Sequence, residues 1–451
     1  MLATLMRLSL KRLGFTILGF FGLACALFVA ALLINSHDEA LAPEVRALLT
    51  PPTNPYGTAD NIYVALQGFD APPAESVIAA GAARIERYNR GLEAALRDPA
   101  ASPEHLAPRD AHRLTFRGDV SFIRPLESSV WNEAPQHEQQ IATLLADNHE
   151  LIERYLDLIL LRGYYETARP SALMPRPTAP NEVHRLFLAQ LALQMRAHSH
   201  FQRQLGLAEL EVDIRLWRRV LDGEGTLLWK MLAIALLQSD YLLLADLIAD
   251  PGAELAPGDQ YGDALVPLFD ATDFDLGGAF AAEFRIQAAT LRTPGPEALS
   301  DHFLKLNATE NLLASNTLGW MARAADPVRF YSQREPDKPV WVLPVSYNPL
   351  GKLLCSMVTQ TYDHYPPRAW DEAALQRLVR VAYEIRQHRL GPSEVGAFLH
   401  GHPQWSTHPA DGRPFLFDAA TRELRMQTLA QHPPAWRFSI RIWLAPPAAP
   451  R

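Results

Sequence analysis

The sequence contains almost no cysteine, and this absence limits how the chain can be stabilised. Its 451 residues include two cysteines, and Cys25 lies inside an apolar run near the N-terminus. Beyond that run Cys355 stands alone, which excludes an internal disulfide there even in an oxidising compartment. We predict that Cys355, just after Leu353 and Leu354, is a buried small residue, because a reactive thiol needs an electropositive and partly open setting.

Positive charge is not in excess either. The formal net charge is −8 at neutral pH. Nucleic acids and anionic lipids both require a basic protein surface, so this charge disfavours them as partners. Hydrophobic content of 48% with 20% charged residues is typical of a folded globular protein rather than a disordered one.

Familiar catalytic motifs are missing as well. His137-Glu138 and His149-Glu150 each begin like a zinc-protease helix, but neither has the second histidine four residues after the first. The G-x-S-x-G elbow, the phosphate loop and the G-x-G-x-x-G fingerprint are absent. The sequence therefore predicts no cofactor and identifies no catalytic residue. It leaves open whether the protein is an enzyme, and it favours a binding protein.

What the sequence does contain is one long apolar run, Leu13–Ile34, without charge or proline. About 22 residues span roughly 33 Å as a helix, enough to cross the hydrocarbon core of a bilayer. Basic residues precede the run and acidic residues follow it: Arg7, Lys11 and Arg12, then Asp38, Glu39 and Glu44. This bias predicts a single-pass inner-membrane protein with residues 1–12 in the cytoplasm and the rest of the chain in the periplasm.

Two other interpretations of the apolar run remain open. A cleaved signal peptide has an apolar core of about 7–15 residues and a small-x-small cleavage site, whereas this run is longer and Ile34-Asn35-Ser36 fits such a site poorly. A lipoprotein signal would place its cysteine just after a short apolar core, but Cys25 is followed by more apolar sequence. We favour a retained transmembrane anchor at 13–34.

The predicted fold is mainly α, with a small antiparallel β element near the C-terminus. Residues 35–75, rich in proline, glycine and small polar residues, are predicted to be an irregular approach segment. Residues 76–451 are predicted to form a mostly helical periplasmic domain with one continuous core, because no later linker is long or polar enough to be a hinge. A hairpin and a strand are expected at about 413–444, where short apolar runs flank a polar turn and Trp436–Ile442 alternates.

Apolar residues at 3–4 spacing predict several long helices. These are His137–Tyr165, Glu182–Leu205 with a break at Gly206, Leu207–Leu221, Thr226–Ile248 and Glu372–Gln387. The helix at Thr226–Ile248 is apolar enough to resemble a second membrane span, but Lys230 lies inside it and Asp240 interrupts its later part. We therefore predict a buried core helix there.

Histidines and carboxylates supply the candidate site residues. His400, His402 and His408 are the candidate metal ligands, because alternating histidines in an extended loop can share an ion, although exposed loop histidines are common and no metal site is predicted. Six carboxylates are candidates for an acid–base pair: Glu127, Glu133, Glu166, Asp213, Glu224 and Glu310. Sequence alone does not show which two share a pocket.

Two polar strings are predicted to have structural roles. Asn307–Asn311 precedes an apolar helix, and Asn307 or Thr309 is predicted to be its N-cap, with Glu310 near the positive helix end. Tyr347–Lys352 is predicted to form a turn in which Asn348 is extended, because Pro349 follows it.

Two stretches resemble known families. Leu375–Met426 is similar to the end of type II secretion pseudopilins, which carry an amphipathic helix, an R-x-x-G-x-x-P link and a D-P-x-G-x-P-x-x-Y hairpin. Pro409–Phe417 follows that hairpin in part, with Ala410 before Asp411 and Phe417 in place of the tyrosine. In pseudopilins the helix continues from the membrane anchor, which is distant here, so the resemblance implies a local element and not a pilin.

The anchor, together with the strings FLKLNATENLL and YNPLGKLL, resembles large single-pass inner-membrane proteins of proteobacteria. That resemblance implies a location and no activity. The sequence thus predicts a membrane-anchored periplasmic protein that binds or scaffolds another envelope protein without catalysis. The alternative is an envelope hydrolase or transferase that uses a carboxylate pair.

Overall fold

The computed structural model describes residues 2–97, 113–171, 174, 180–197, 199–253, 275–292, 300–326, 346–430, 433 and 436–445. Within them the chain is mainly helical, with a small antiparallel sheet near the C-terminus, which confirms the predicted fold class. The earlier helices are α1 (Leu2–Ile34), α2 (Pro43–Leu49), α3 (Ile62–Gly68), α4 (Val77–Arg97), α5 (Val130–Glu133), α6 (Glu138–Asp147) and α7 (His149–Ile159).

The later elements complete the body. The helices are α8 (Pro180–Arg196), α9 (His200–Asp222), α10 (Leu227–Ala249), α11 (Gly277–Arg292), α12 (Ser300–Phe303), α13 (Leu306–Ala325), α14 (Pro349–Tyr362), α15 (Tyr365–Gln387), α16 (Pro392–Gly401) and α17 (Pro403–Ser406). The strands are β1 (Leu416–Asp418), β2 (Glu423–Arg425) and β3 (Ser439–Arg441).

Among the described residues, two helices are long and apolar enough to cross a membrane, and they differ in how much of each is buried. The Thr16–Ile34 part of α1 has a mean hydropathy of 2.8 and is 6% buried, whereas α10 has a mean hydropathy of 1.7 and is 78% buried. The predicted core helix at 226–248 is therefore confirmed as α10. By the same comparison, α1 has the composition and exposure of a membrane anchor or a signal sequence.

Helices α8, α9, α10 and α15 form the centre of the body. Helix α10 packs against α9 and α15, and α8 packs against α9. Helix α10 is apolar on all sides except at a few charged positions, as expected of a helix that other elements surround. The main core built around these helices includes Trp217 and Tyr241, both fully buried.

The charge of Lys230 is accommodated inside this core by the end of a neighbouring helix. Its Nζ donates a hydrogen bond to the carbonyl oxygen of Val220 at 3.0 Å, and to those of Leu221 and Gly223. The last carbonyls of α9 have no partner within their own helix, and they carry the negative end of its dipole. Burial nevertheless lowers the pKa of Lys230 to about 8.

Two predicted helix boundaries are wrong. The helix expected at His137–Tyr165 divides into α6 and α7 at Asn148, whose side chain bonds both backbone groups of Arg117, at 2.7 and 2.9 Å. The break expected at Gly206 is absent, and Gly206 lies inside α9. A Cβ there would lie 2.7 Å from Cγ of Met195, so the glycine permits close packing of α8 on α9.

The segment 35–75, predicted to be irregular, contains the helices α2 and α3. Every residue of α3 is buried, and this helix packs on α4 with Gly68 and Gly81 at the contact. A β-carbon at either glycine would collide with the backbone of the other helix. The prolines and glycines that suggested a loop lie outside these short helices or at their ends, as Pro43 and Gly68 do, and tertiary packing stabilises the helices.

The C-terminal sheet confirms the predicted hairpin and strand. Strands β1 and β2 pair antiparallel, with Leu416 opposite Arg425, and β2 pairs antiparallel with β3, with Leu424 opposite Ile440. Leu424 and Ile440 are fully buried, and β3 contacts α10 while β2 contacts α15. The sheet therefore covers one side of the central helices.

A smaller cluster, which we name the second core, lies apart from the main one. It consists of Val45, Leu48, Phe284, Ala288, Leu313, Ala314 and Cys355. Cys355 is 2% exposed, which confirms the prediction of a buried small residue, and burial raises its pKa to about 12. Helices α2, α11, α13 and α14 thus form a unit around the chain that leaves α1.

Candidate functional site

The residues that follow α1 are hydrogen-bonded to the starts of α13 and α14, and we name this region the junction. Asn35 is 1% exposed. Its Nδ2 donates to the carbonyl oxygens of Ala31 at 2.9 Å and Ser346 at 3.1 Å, and its Oδ1 accepts from the backbone N–H of Asn348 at 2.7 Å. The last turn of α1 is therefore part of the folded body.

Asp38 supplies the negative charge of the junction. Its two carboxylate oxygens accept from the backbone N–H of Asn307 at 2.8 Å and of Ala308 at 3.1 Å, in the first turn of α13. Unpaired N–H groups and the positive end of the dipole make a helix N-terminus a good partner for a carboxylate. An aspartate just outside α1 thus caps a helix about 270 residues further along the chain.

The predicted local caps are therefore wrong. The N-cap position of α13 is Lys305 without a side-chain cap, and the Thr309 hydroxyl donates to the Lys305 carbonyl oxygen at 2.7 Å. Glu310 is buried and accepts two hydrogen bonds from Arg292, both at 2.6 Å. The Glu310 carboxylate is therefore paired with Arg292 and links α13 to α11, so it is not a free acid group.

Asn348 also differs from its prediction. Its φ of 50° and ψ of 54° are left-handed, not extended. Asparagine tolerates this region, and here its Oδ1 accepts from the N–H of Lys305 at 3.0 Å and of Gly351 at 3.2 Å. Asn348 is thus the N-cap of α14 and a link between α1, α13 and α14.

Helix α14 begins at the junction and carries an exposed apolar stripe. Leu350, Leu353, Leu354 and Met357 are 38%, 48%, 40% and 66% exposed. Their spacing of three, four and seven residues from the first places them on one face of a helix. The opposite face, with Cys355, packs into the second core. An apolar face therefore borders the point where α1 leaves the body.

A second group lies deep in the main core, where three helices each contribute one charged side chain. His184 of α8, Asp213 of α9 and Asp240 of α10 are all fully buried. The His184 Nε2 lies 2.9 Å from Oδ1 of Asp240 and 3.3 Å from Oδ2 of Asp213. We name these three residues the buried cluster.

Aromatic side chains hold the buried cluster in place. The hydroxyl of Tyr155 donates to Oδ1 of Asp213 at 2.6 Å, and the indole N–H of Trp217 donates to that hydroxyl at 2.8 Å. Burial alone would lower the pKa of His184, but the charges of Asp240 and Asp213 raise it to about 9. Burial raises the pKa of Asp240 to about 8.

Several buried polar atoms around this cluster have no hydrogen-bond partner. Among the described residues these include Nδ1 of His184, Oδ2 of Asp213 and Oδ2 of Asp240. Glu372 of α15 is also buried, with neither oxygen bonded, and burial followed by the charge of Asp240 raises its pKa well above the usual range. Buried polar groups without partners are costly, so this concentration of them requires an explanation.

Glu166 and Glu224 are the two candidate carboxylates that the structure brings to one cavity, of about 310 Å³. Glu166 accepts from the backbone N–H of Thr226 at 2.7 Å, and Glu224 pairs with Arg285. Burial raises the pKa of Glu166 to about 7, against the lowering effect of the Thr226 hydrogen bonds. Each carboxylate therefore has a structural partner, and Glu166 caps the start of α10.

The other candidates lie elsewhere. Glu127 pairs with Arg124 at 3.3 Å, and Glu133 accepts from the Ser128 hydroxyl at 2.9 Å. Asp213 belongs to the buried cluster. Glu127 lines a different cavity from the one that Glu166 and Glu224 share.

The three candidate histidines have separate surroundings. His400 is exposed, and His402 stacks on Trp405 with ring centroids 5.3 Å apart. His408 is buried, with Nε2 3.2 Å from Oδ1 of Asp371. Of the described residues, one group has three ligand atoms within 4.8 Å of one another, and it is the buried cluster.

Sequence reasoning did not find His184 or Asp240 as a site. Each stands alone in an apolar helical segment, and α8, α9 and α10 bring them together only in the fold. The sequence signal that could have found them was their charge, because ionisable residues on a core-facing helix are rarely buried without a partner. In comparisons of the whole chain with family models, curated proteins and solved structures, none matches.

Proposed function

We propose that the protein is a single-pass inner-membrane protein whose helical body lies in the periplasm and binds another component of the bacterial envelope without catalysis. The junction carries the proposal. Ala31 and Asn35, at the end of α1, are 4% and 1% exposed because the body covers them. Cleavage near residue 35 would remove these contacts, whereas a retained anchor keeps them.

The arrangement around the junction supports an anchor that also sets the position of the body. Asn35 and Asp38 bind the starts of α13 and α14 directly, so little free chain separates α1 from the body. The stripe of Leu350, Leu353, Leu354 and Met357 begins beside this exit point. Apolar side chains at that level can lie against the lipid surface, where exposure costs less than in water.

The test combines two measurements on the full chain. A reporter that is active only outside the cytoplasm, fused after Arg451, should be active, and the mature protein should retain its first 36 residues by intact mass. Replacing Arg7, Lys11 and Arg12 with glutamate should reduce export, because it removes the positive-inside bias. A mature N-terminus near Ser36 would identify a cleaved signal, and a reporter inactive in that position would overturn the proposed topology.

One observation favours a second candidate, an envelope hydrolase or transferase. Glu166 and Glu224 line a common cavity, and the pKa of Glu166 is raised to about 7, as expected of a general acid. An acid–base enzyme would lose its turnover of isolated envelope material in Glu166→Gln while keeping its fold. Activity that survives this substitution, or no activity in the parent chain, would leave the binding role as the better account.

A further inference from the structure

The buried cluster contains polar atoms without a hydrogen-bond partner, which a closed hydrogen-bond network would not have. Two carboxylates and one imidazole share a fully buried position. Oδ2 of Asp240 and Nδ1 of His184 have no hydrogen-bond partner, and Oδ2 of Asp213 has only the 3.3 Å contact with His184 Nε2. In a structural network of this burial, each such atom would be expected to have a partner. Imidazole and carboxylate groups that meet from three helices are also the usual construction of a metal site in a helix bundle.

The distances within the cluster fit a small cation. Ligand atoms bonded to a tetrahedral cation at about 2.0–2.2 Å lie roughly 3.4 Å from one another. The His184 Nε2 is 2.9 and 3.3 Å from the two carboxylates, and one atom from each of the three residues lies within 4.8 Å of the others. Displacements of a few tenths of an ångström would therefore open room for an ion without moving the helices.

The surroundings also match those of a ligand set. Metal-bound carboxylates are normally held by an outer hydrogen bond that fixes their orientation. Tyr155 donates such a bond to Asp213, and Trp217 fixes Tyr155 in turn. The rings of Tyr155 and Trp217 lie 6.1 and 6.3 Å from the His184 ring and exclude water from that side.

We propose that His184, Asp213 and Asp240 bind one divalent cation of the first transition row, with zinc, manganese and iron as the chemical class. One imidazole nitrogen and two carboxylate oxygens suit these borderline ions, whereas calcium requires six to eight oxygen ligands. Two carboxylates with a neutral imidazole also balance a charge of two, which removes the cost of burying unpaired charge. Binding releases the proton that the imidazole holds.

A cavity borders the cluster on one side. His184 and Ser239 line a cavity of about 180 Å³ whose other walls include Arg124, Glu127 and Asn181. Glu127 is 39% exposed, so a carboxylate stands at the outer end of this cavity. An entering cation would meet Glu127 before it reached His184.

The experiment uses the full chain in detergent micelles, stripped with a chelator and then titrated with Zn²⁺ or Co²⁺. We expect one metal ion per chain by elemental analysis, a rise in Tm, and the visible absorption of four-coordinate Co²⁺. His184→Gln and Asp240→Asn should each weaken binding more than roughly 100-fold, since each removes a ligand. His408→Gln is the matched control, because His408 is also buried beside an aspartate but lies outside the cluster.

A milder variant covers the case in which the ligand substitutions fail to fold. Tyr155→Phe keeps all three ligands and removes one outer hydrogen bond, so it should fold and weaken Zn²⁺ binding about 10-fold. Binding that is unchanged in Tyr155→Phe and in every folded ligand variant would overturn the site. So would a stoichiometry well below one ion per chain in the parent protein. Neither result depends on where α1 is located.

Discussion

The main core and the junction use buried polarity in opposite ways. In the main core, His184, Asp213 and Asp240 come from three neighbouring helices and are fully buried, with aromatic rings packed on one side. At the junction, Asp38 connects parts of the chain about 270 residues apart, and its groups remain near the surface. The first arrangement joins three helices of the core, and the second joins the end of α1 to the starts of α13 and α14.

This difference predicts that substitutions in the two regions change stability by different amounts. Groups in the main core have no solvent to replace a lost partner, so each substitution there is costly. Asp38 is exposed, so the N–H groups that it caps can exchange a lost hydrogen bond for water, and we expect the loss to be local and moderate. The body should therefore remain folded when a junction residue is replaced. We do not expect the junction to remain intact when the main core is disrupted.

The largest effect should come from Trp217→Ala. Trp217 is fully buried and donates to the Tyr155 hydroxyl, so its removal leaves a cavity and takes one hydrogen bond from that hydroxyl beside the buried cluster. The free energy of unfolding should fall by about 3–5 kcal/mol, measured by chemical denaturation followed by circular dichroism. Trp405→Ala, at a partly exposed tryptophan, is the control and should cost much less. Equal losses of stability in the two variants would contradict the expectation that substitutions in the main core are the most costly.

A smaller effect should appear as a pH dependence of stability at Glu166. Its pKa in the folded protein is about 7, above the value of 4.5 expected when unfolded. Between these values the folded state holds a proton that the unfolded state has lost, so stability falls as pH rises from about 4.5 to about 7. The contribution is at most roughly 3–4 kcal/mol, because one pKa unit corresponds to about 1.4 kcal/mol.

The variant Glu166→Gln isolates this contribution. Asp240 and Glu372 also have raised pKa values, so the parent chain shows a composite dependence. The difference between the parent and Glu166→Gln, measured by denaturation at pH 5 and pH 7.5, should therefore report Glu166 alone. Glu133→Gln, at a partly exposed position, is the control. Identical pH slopes in parent and variant would show that Glu166 keeps an ordinary pKa.

The smallest effect should come from Asp38→Ala. The first turn of α13 then loses its cap, which costs about 0.5–2 kcal/mol in that region. Amide hydrogen exchange at Asn307 and Ala308 should accelerate, while the unfolding midpoint of the main core stays close to that of the parent. Glu153→Ala, on the exposed face of α7, should change neither quantity. A global loss of stability in Asp38→Ala would mean that the junction and the main core unfold together.

The sequence predicts the parts of this structure that depend on local pattern. Helical periodicity, the charge inside α10 and the alternation before Trp443 gave the fold class, the buried helix and the last strand. The break at Asn148 depends on a bond to Arg117, and the cap of α13 depends on Asp38, so no local pattern contains either. The buried cluster could not be predicted from the sequence for the same reason, since its three residues meet only after α8, α9 and α10 have packed.

Lys230 and Asp240 have a further consequence for how the protein is made. On the proposed topology, α10 passes through the export channel before its core exists, as an apolar segment of 23 residues that could stop there and enter the bilayer. A charged residue at the centre of such a segment costs about 2.5–3.5 kcal/mol on insertion scales, and Asp240 lies near that centre. The charges that α9 and His184 later neutralise thus first act during translocation, where they keep a soluble core helix from becoming a second membrane span.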